Sequence, residues 1–272
     1  DGEATRAIER ADCVLAVGYD IAEHDPASWN PDRETTVVHL DHEPAEVYAH
    51  YNPELEIVAD IPMGLRRLTG TVDAIDEPSW CEETHDTILS NATEMPDDDE
   101  PFTVEGTLPY LRETMADDDV LLSDVGSHKM AIAQRFPVYE PNTCIVSNGL
   151  ASMGIAVPGA VAADLAVEES VVAATGDGGF LMNAAELNTA ARLGCGFTVL
   201  LFNDDEYRLI TEEFEEVVGD TFGTDLTNPD YVTFAESFGM ESYRPESWAD
   251  LDAALEECVG NDELSLVEVR LG

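Results

Sequence analysis

The sequence predicts an α/β protein built from doubly wound parallel sheets. Three observations carry that prediction. Short β-rich runs alternate with helical stretches along most of the 272 residues, the runs are nearly continuous in Val, Ile, Leu and Ala, as strands buried on both faces are, and each ends in a polar residue or a turn. Ligands of such sheets sit beyond the carboxyl ends of the strands, so the turns that follow them are where chemistry is expected.

Taken in order, the chain opens in a helical stretch, and CVLAVGYD from Cys13, TTVVHLD at 35–41 and LEIVAD at 55–60 then read as three parallel strands. IPMGLRRL at 61–68 reads as a short amphipathic helix. From 71 to 101 the chain turns polar, with EPSW, SNATEMP and DDDE, and reads as a linker, helical in part. VEGTLPYLRETMADDD, at 104–119, reads as a helix, VLLSDVG as a strand, and 127–136 as a second helix. TCIVSNG is a strand and turn, GIAVPGAVAADLA a helix of small residues, SVVAATGDGG a strand and glycine turn, and NAAELNTAARLG a helix. FTVLLFNDDEY is a further strand. An acidic helix, a loop to Pro229, YVTFAESFG, the helix WADLDAALEECV and the strand LSLVEVRL complete the alternation.

Composition bounds the function. Acidic residues number 58 and basic ones 12, a net charge of −46, which excludes a protein that binds a nucleic-acid phosphate backbone. A hydrophobic content of 44% is enough for a folded core. No apolar run approaches the roughly 18 residues a membrane helix needs, and no basic, apolar, small-residue leader opens the chain. A soluble, cytoplasmic protein is expected. The chain begins at Asp1 without Met, inside a helical stretch, and reads as a fragment. Acid is spread over its whole length, and of the 12 basic residues only Lys129 is lysine. Such self-repulsion is screened at molar salt, so a halophilic cytoplasm is the expected source. The cysteines, Cys13, Cys81, Cys144, Cys195 and Cys258, are odd in number and far apart, and read as reduced, mostly buried thiols. His24, His39, His42, His50, His85 and His128 form no zinc spacing with them.

The chemistry concentrates in two aspartates. Asp177 closes one strand in TGDGG and Asp204 the next in FNDDEY, a separation of one βαβ crossover. Were the two strands adjacent, their ends would lie about 4.8 Å apart, and both carboxylates could reach one hard cation such as Mg²⁺ or Ca²⁺. Gly178 and Gly179 let main-chain N–H groups approach a phosphate at the start of the following helix. Together these features describe a magnesium diphosphate site. Alone, GDGG also fits a plain tight turn, and Asp204 a turn cap.

TGDGG followed at this spacing by FNDD resembles the thiamine-diphosphate motif, and within that superfamily the chain looks most like acetolactate synthases of the catabolic type. ADCVLAVGYDIAEHDPASWN, VVHLDHEPAEVYAHYNPELEIVADIP, SDVGSH, YEPNTCIVSNGLASMGIAVPGA, GDGGFLMNAAELNTAARL, NDDEY and YVTFAESFG carry the resemblance. It implies that the side chains of Asp177 and Asp204 and the main-chain carbonyl of Glu206 bind Mg²⁺. It places Gly126, Ser127, His128, Gly176, Gly178, Gly179 and Tyr207 around the cofactor, Met153 as the wedge that bends it, and Ala151 beside the carbonyl that its aminopyrimidine meets. Read from the residues alone, Met153 is also compatible with plain core and His128 with a helix start. Lys129 reads as a solvent-facing helix position.

By the same resemblance, residues 1–70 are the C-terminal part of a middle domain, 71–102 a linker and 103–272 a complete diphosphate-binding domain. The implied reaction decarboxylates pyruvate and joins the remaining two carbons to a second pyruvate, giving 2-acetolactate and CO₂, in a homodimer or homotetramer. The activating glutamate belongs to a pyrimidine-binding domain outside this chain, which leaves the isolated chain inactive. FAD, which some members keep without a redox role, would sit largely on sequence outside it as well. One departure bears on substrate: Thr211, Glu212 and Glu213 stand where Gln or Trp is expected, which keeps another 2-keto acid decarboxylase or carboligase as the alternative. A nucleotide-binding regulatory module is the alternative from another class, since VVHLD ends in an acid, but no GxGxxG accompanies it. A purely structural subunit is the third.

Overall fold

The computed structural model describes residues 3–21, 25–72 and 82–272, and Cys81 and His24 lie outside the described residues. The chain divides into two units, Asp1–Ser90 and Asn91–Gly272.

In the first unit, α1 (Glu3–Glu9) is followed by β1 (Cys13–Val17), β2 (Thr36–Asp41), β3 (Leu55–Val58) and α2 (Ile61–Thr69). The three strands form a parallel sheet in the order β1-β2-β3. Asp60 caps α2 by accepting from the Met63 N–H at 2.9 Å. Ala16 and Val37 are buried, whereas Leu15, Val17, Leu55 and Val58 are exposed. The expectation that these strands are buried on both faces is therefore corrected within this chain: Leu40 is fully buried, but the flanking strands β1 and β3 keep exposed apolar side chains, with Leu55 and Val58 on opposite faces. Tyr19, Trp29 and Tyr51 pack with Ala16 and Val37, and His39 Nδ1 lies 2.8 Å from the Tyr51 hydroxyl. The next helix, α3 (Glu82–Ala92), falls in the stretch read as a linker.

In the second unit, α4 (Val104–Thr114) leads into β4 (Val120–Ser123), α5 (Ser127–Arg135), β5 (Cys144–Val146) and α6 (Ala156–Asp164). Then come β6 (Val171–Gly176), α7 (Asp177–Asn183), α8 (Glu186–Leu193), β7 (Thr198–Asn203), α9 (Arg208–Val218), α10 (Tyr231–Glu236), β8 (Glu241–Tyr243), α11 (Trp248–Cys258) and β9 (Ser265–Arg270). All six strands are parallel, in the order β5-β4-β6-β7-β9-β8.

The apolar runs make the sheet's two cores. Every residue of β7 is buried, with Val199 and Leu201 joining one cluster and Leu200 and Phe202 the other. The first cluster packs under α6, α7, α8 and α10 through Val157, Phe180, Leu187 and Tyr231. The second packs under α4, α5 and α11 through Leu108, Ile132 and Leu255. Thr103, Asp230 and Ser247 cap α4, α10 and α11.

Three local readings change. α4 stops at Thr114 instead of running to 119, because Asp119 turns its carboxylate back on the Ala116 N–H at 2.7 Å and also takes the Ser170 N–H at 2.9 Å. The helix after β6 begins at Asp177 itself rather than after a glycine turn. Of the described cysteines all are free, but only Cys195 and Cys258 are buried. No helix among the described residues is long and apolar enough to cross a membrane.

Candidate functional site

The connection after β4 enters α5 on one face of the sheet, and the connection after β6 enters α7 and α8 on the other. Neighbouring strands whose chains leave in opposite directions open a crevice between their carboxyl ends. A cleft of about 210 Å³ lies there. Gly126, Ser127 and His128 border it from the end of β4, Ala151 and Met153 from the loop before α6. Gly176, Asp177, Gly178 and Gly179 line it from β6 and α7, and Asp204, Glu206 and Tyr207 from the loop after β7. Every residue that the sequence assigned to the metal or the cofactor thus borders one cavity.

β6 and β7 are neighbours, with Gly176 opposite Phe202, so Asp177 and Asp204 leave adjacent strand ends. Asp177 is 2% exposed, and its carboxyl is pushed up to about 6, first by burial; Asn228 opposes the shift and the nearby Asp204 charge adds to it. The Asp204 carboxylate accepts from Arg208 Nε at 2.7 Å, and Arg208 also reaches Glu206 Oε1 at 3.1 Å. Asp205 takes a left-handed φ of 59°, with its N–H donating to Asn203 Oδ1 at 3.2 Å. That side-chain turn explains how a non-glycine residue tolerates the conformation, and it carries the chain from Asp204 to Glu206 around the cleft.

Three features test whether Mg²⁺ and a diphosphate suit these residues. The first is the donor set. Among the described residues no group of three His, Cys, Asp or Glu side chains is arranged to hold a metal, so an ion here would take two carboxylates, a main-chain carbonyl and oxygens of its own ligand. Those are hard oxygen donors, suited to Mg²⁺. The second is glycine where the cleft wall packs closest: a Cβ on Gly178 would come within 2.5 Å of the Tyr207 ring, and one on Gly126 within 2.9 Å of the His128 ring, so glycine alone lets these two lining rings lie against the main chain. The third is His128, whose Nε2 is buried without a hydrogen-bond partner. Burial pushes this imidazole down to about 4, against the bond it donates to the Asp124 main chain. An unpartnered buried ring nitrogen at a cleft is what a ligand oxygen would satisfy. The residues fit the group.

The loop carrying Ala151 and Met153 is held from below. Ala151 has a left-handed φ of 44°, a conformation a non-glycine residue keeps only where its surroundings enforce it. Asp124, fully buried at the end of β4, anchors the far end of this loop through bonds from the Gly154 and Ala156 N–H groups at 2.8 and 3.2 Å. Asn183 closes the loop by donating to the Gly154 carbonyl at 2.8 Å.

Sequence reasoning missed Asp124, Arg208 and Asn228 as parts of the site. Asp124 lies in the SDVGSH segment, two residues before Gly126, and Asn228 in the TNPD turn, which reads as loop. Glu212 and Glu213 are exposed on α9, and Glu212 borders a groove shared with Arg208. Lys129 is half-buried on α5 rather than solvent-facing, and is not among the cleft residues.

Comparison with known proteins agrees with this geometry. Residues 124–269 match the family described as thiamine pyrophosphate enzyme, C-terminal TPP binding domain, and residues 1–68 match its central domain. The chain is 32% identical over 272 residues to the acetolactate synthase of Bacillus subtilis (strain 168), an alignment covering 96% of this chain and 47% of that protein. It is 29% identical to the catabolic acetolactate synthase of Raoultella terrigena, covering 97% and 48%. A probable acetolactate synthase large subunit of Methanocaldococcus jannaschii is 26% identical, covering 98% and 47%. The chain therefore spans about half the length of the curated relatives it matches.

Proposed function

We propose, from the premise that this chain belongs to the thiamine pyrophosphate enzyme family, that it is the cofactor-anchoring part of an acetolactate synthase. The whole enzyme would decarboxylate pyruvate and join the two-carbon remainder to a second pyruvate, giving 2-acetolactate and CO₂. The observation that carries this reading is the placement of Asp177 and Asp204 on adjacent strand ends, in one cleft with Gly178 and Gly179.

The roles follow from the cleft. Asp177, Asp204 and the Glu206 carbonyl would hold Mg²⁺, and the main chain around Gly126, Ser127, Gly178 and Gly179, with His128, would hold the diphosphate. Gly176 and Tyr207 shape the wall, Met153 and the carbonyl beside Ala151 orient the cofactor, and Leu209 and Ile210 keep one side apolar. Bound thiamine diphosphate supplies the electron sink for decarboxylation, and the protein supplies geometry and electrostatics. A cleft of about 210 Å³ is small beside the roughly 300–1,000 Å³ of ordinary ligand sites, which suits one end of the cofactor.

Residues 1–70 would then belong to the middle domain, 71–102 to a linker and 103–272 to the diphosphate-binding domain, in a cytoplasmic homodimer or homotetramer. With the activating glutamate on another domain, the chain supplied with pyruvate, thiamine diphosphate and Mg²⁺ is expected to form little acetolactate. Brisk acetolactate formation by the chain alone would refute that division of labour. The groove shared by Arg208 and Glu212 keeps a carboligase with a different acceptor as the second reading.

A net charge of −46 on this fold supports a high-salt origin. The midpoint of thermal unfolding is expected to rise between about 0.1 M and 2 M KCl, as the Debye length shrinks several-fold. A flat or falling midpoint, followed by circular dichroism, contradicts that origin.

A further inference from the structure

Asp177 is held by a residue from far along the chain. Its Oδ1 accepts from the Gly178 N–H at 2.8 Å and its Oδ2 from Asn228 Nδ2 at 2.6 Å. Asn228 stands in the loop between α9 and α10, and its amide nitrogen also lies 3.1 Å from Asn203 Oδ1 and 2.9 Å from Asp205 Oδ1. One amide therefore spans three oxygens contributed by the ends of β6 and β7.

The orientation of that amide is determined by its other end. Asn228 Oδ1 accepts from the Tyr231 hydroxyl at 2.8 Å, and Tyr231 is fully buried. Burial holds the phenol protonated, well above its ordinary value, so it is a donor. A flipped amide would set its carbonyl against three oxygens and its nitrogen against a hydroxyl. Behind Asn203 the network continues inward: Asn203 donates to Glu268 Oε1 at 2.8 Å, and Glu268, fully buried on β9, is held by Arg244 at 2.7 Å and Arg270 at 3.2 Å.

We propose that Asn228 is a positioning residue for divalent-metal binding, its amide fixing the Asp177 carboxylate and tying the ends of β6 and β7 so that Asp177 and Asp204 meet one cation. This rests on the reading of those two aspartates as the metal pair. Removing a group that orients a metal ligand typically lowers metal affinity 10–100-fold.

The test measures Mn²⁺ and Mg²⁺ binding by the full 272-residue chain, with urea unfolding as the control for folding. Asn228→Ala is expected to weaken metal binding about 10–100-fold. Asn228→Asp separates positioning from charge. Positioning requires it to weaken the metal as well, since its carboxylate would face those of Asp177 and Asp205, whereas an effect of charge alone would strengthen it. Wild-type affinity in Asn228→Ala, or affinity at or above wild type in Asn228→Asp, overturns the proposal. Should both variants fail to fold, Tyr231→Phe decides, with several-fold weakening supporting the role and unchanged affinity overturning it. Absence of metal binding by the wild-type chain overturns the metal-pair reading and this inference with it, whereas wild-type binding that Asn228→Ala leaves intact overturns this inference alone.

Discussion

Asp177→Ala is expected to weaken magnesium-dependent binding of thiamine diphosphate by roughly 100-fold or more, since even partners one shell removed from a metal commonly cost 10–100-fold. The carboxylate leaves the end of β6 beside the end of β7, and alanine would leave Asp204 as the one aspartate of the pair, still engaged by Arg208 at 2.7 Å. A pH dependence accompanies this. The Asp177 carboxyl sits at about 6, raised mainly by burial, and only its ionised form is a metal ligand. Protons thus compete with Mg²⁺ as pH falls through about 6, and affinity should drop by up to about tenfold per pH unit below it, while above that value the proton no longer competes. Asp177→Asn should bind weakly and lose that dependence. Titration of each variant with the cofactor at pH 5, 6 and 7.5 checks both statements, and an unchanged pH profile in Asp177→Asn would assign the proton to another group.

The second large effect is on stability. Asp124→Ala is expected to destabilise the fold by about 3 kcal/mol or more, because each buried donor left unsatisfied costs about 1–3 kcal/mol. The donors are the N–H groups of Val125 and Gly154, at 2.7 and 2.8 Å from Oδ1, and the Ala156 N–H and Thr175 hydroxyl, at 3.2 and 3.3 Å from Oδ2. Asp124→Asn keeps one acceptor oxygen and should fall between. Since the same carboxylate anchors Gly154 and Ala156, just past the cleft residues Ala151 and Met153, cofactor affinity should fall with stability in this series. A urea midpoint for Asp124→Ala equal to wild type would show that water or backbone movement satisfies the freed donors.

Much of the second unit was legible because its signals are local. VLLFN in β7 reads as one apolar run, and the structure divides it by alternation between two cores, as a strand covered on both faces requires. The aspartate pair was legible for a similar reason: a strand, one crossover helix and a strand fit the spacing between Asp177 and Asp204, and β6 and β7 are adjacent.

What was not legible depends on distant partners or on weak local signals. β8 is three residues at the sheet edge, too short to announce itself, and α3 sits in polar sequence that reads equally as coil. The burial of β1 and β3 was misjudged because apolar composition alone does not say what covers each face. Asn228 carries no signature in TNPD. Its importance comes from contacts with Asp177, Asn203 and Asp205, 51, 25 and 23 residues away in sequence, which only the folded chain brings together. Arg208 likewise reads as an isolated surface base until α9 places it across Asp204 and Glu206.

The central claim is tested most directly by calorimetric titration of the wild-type chain with thiamine diphosphate, once with Mg²⁺ and once with a chelator. Saturable binding of one cofactor per chain, lost or greatly weakened without the metal, is the predicted result. No binding in the presence of Mg²⁺, equal binding with and without it, or binding of NADH in its place would contradict the account.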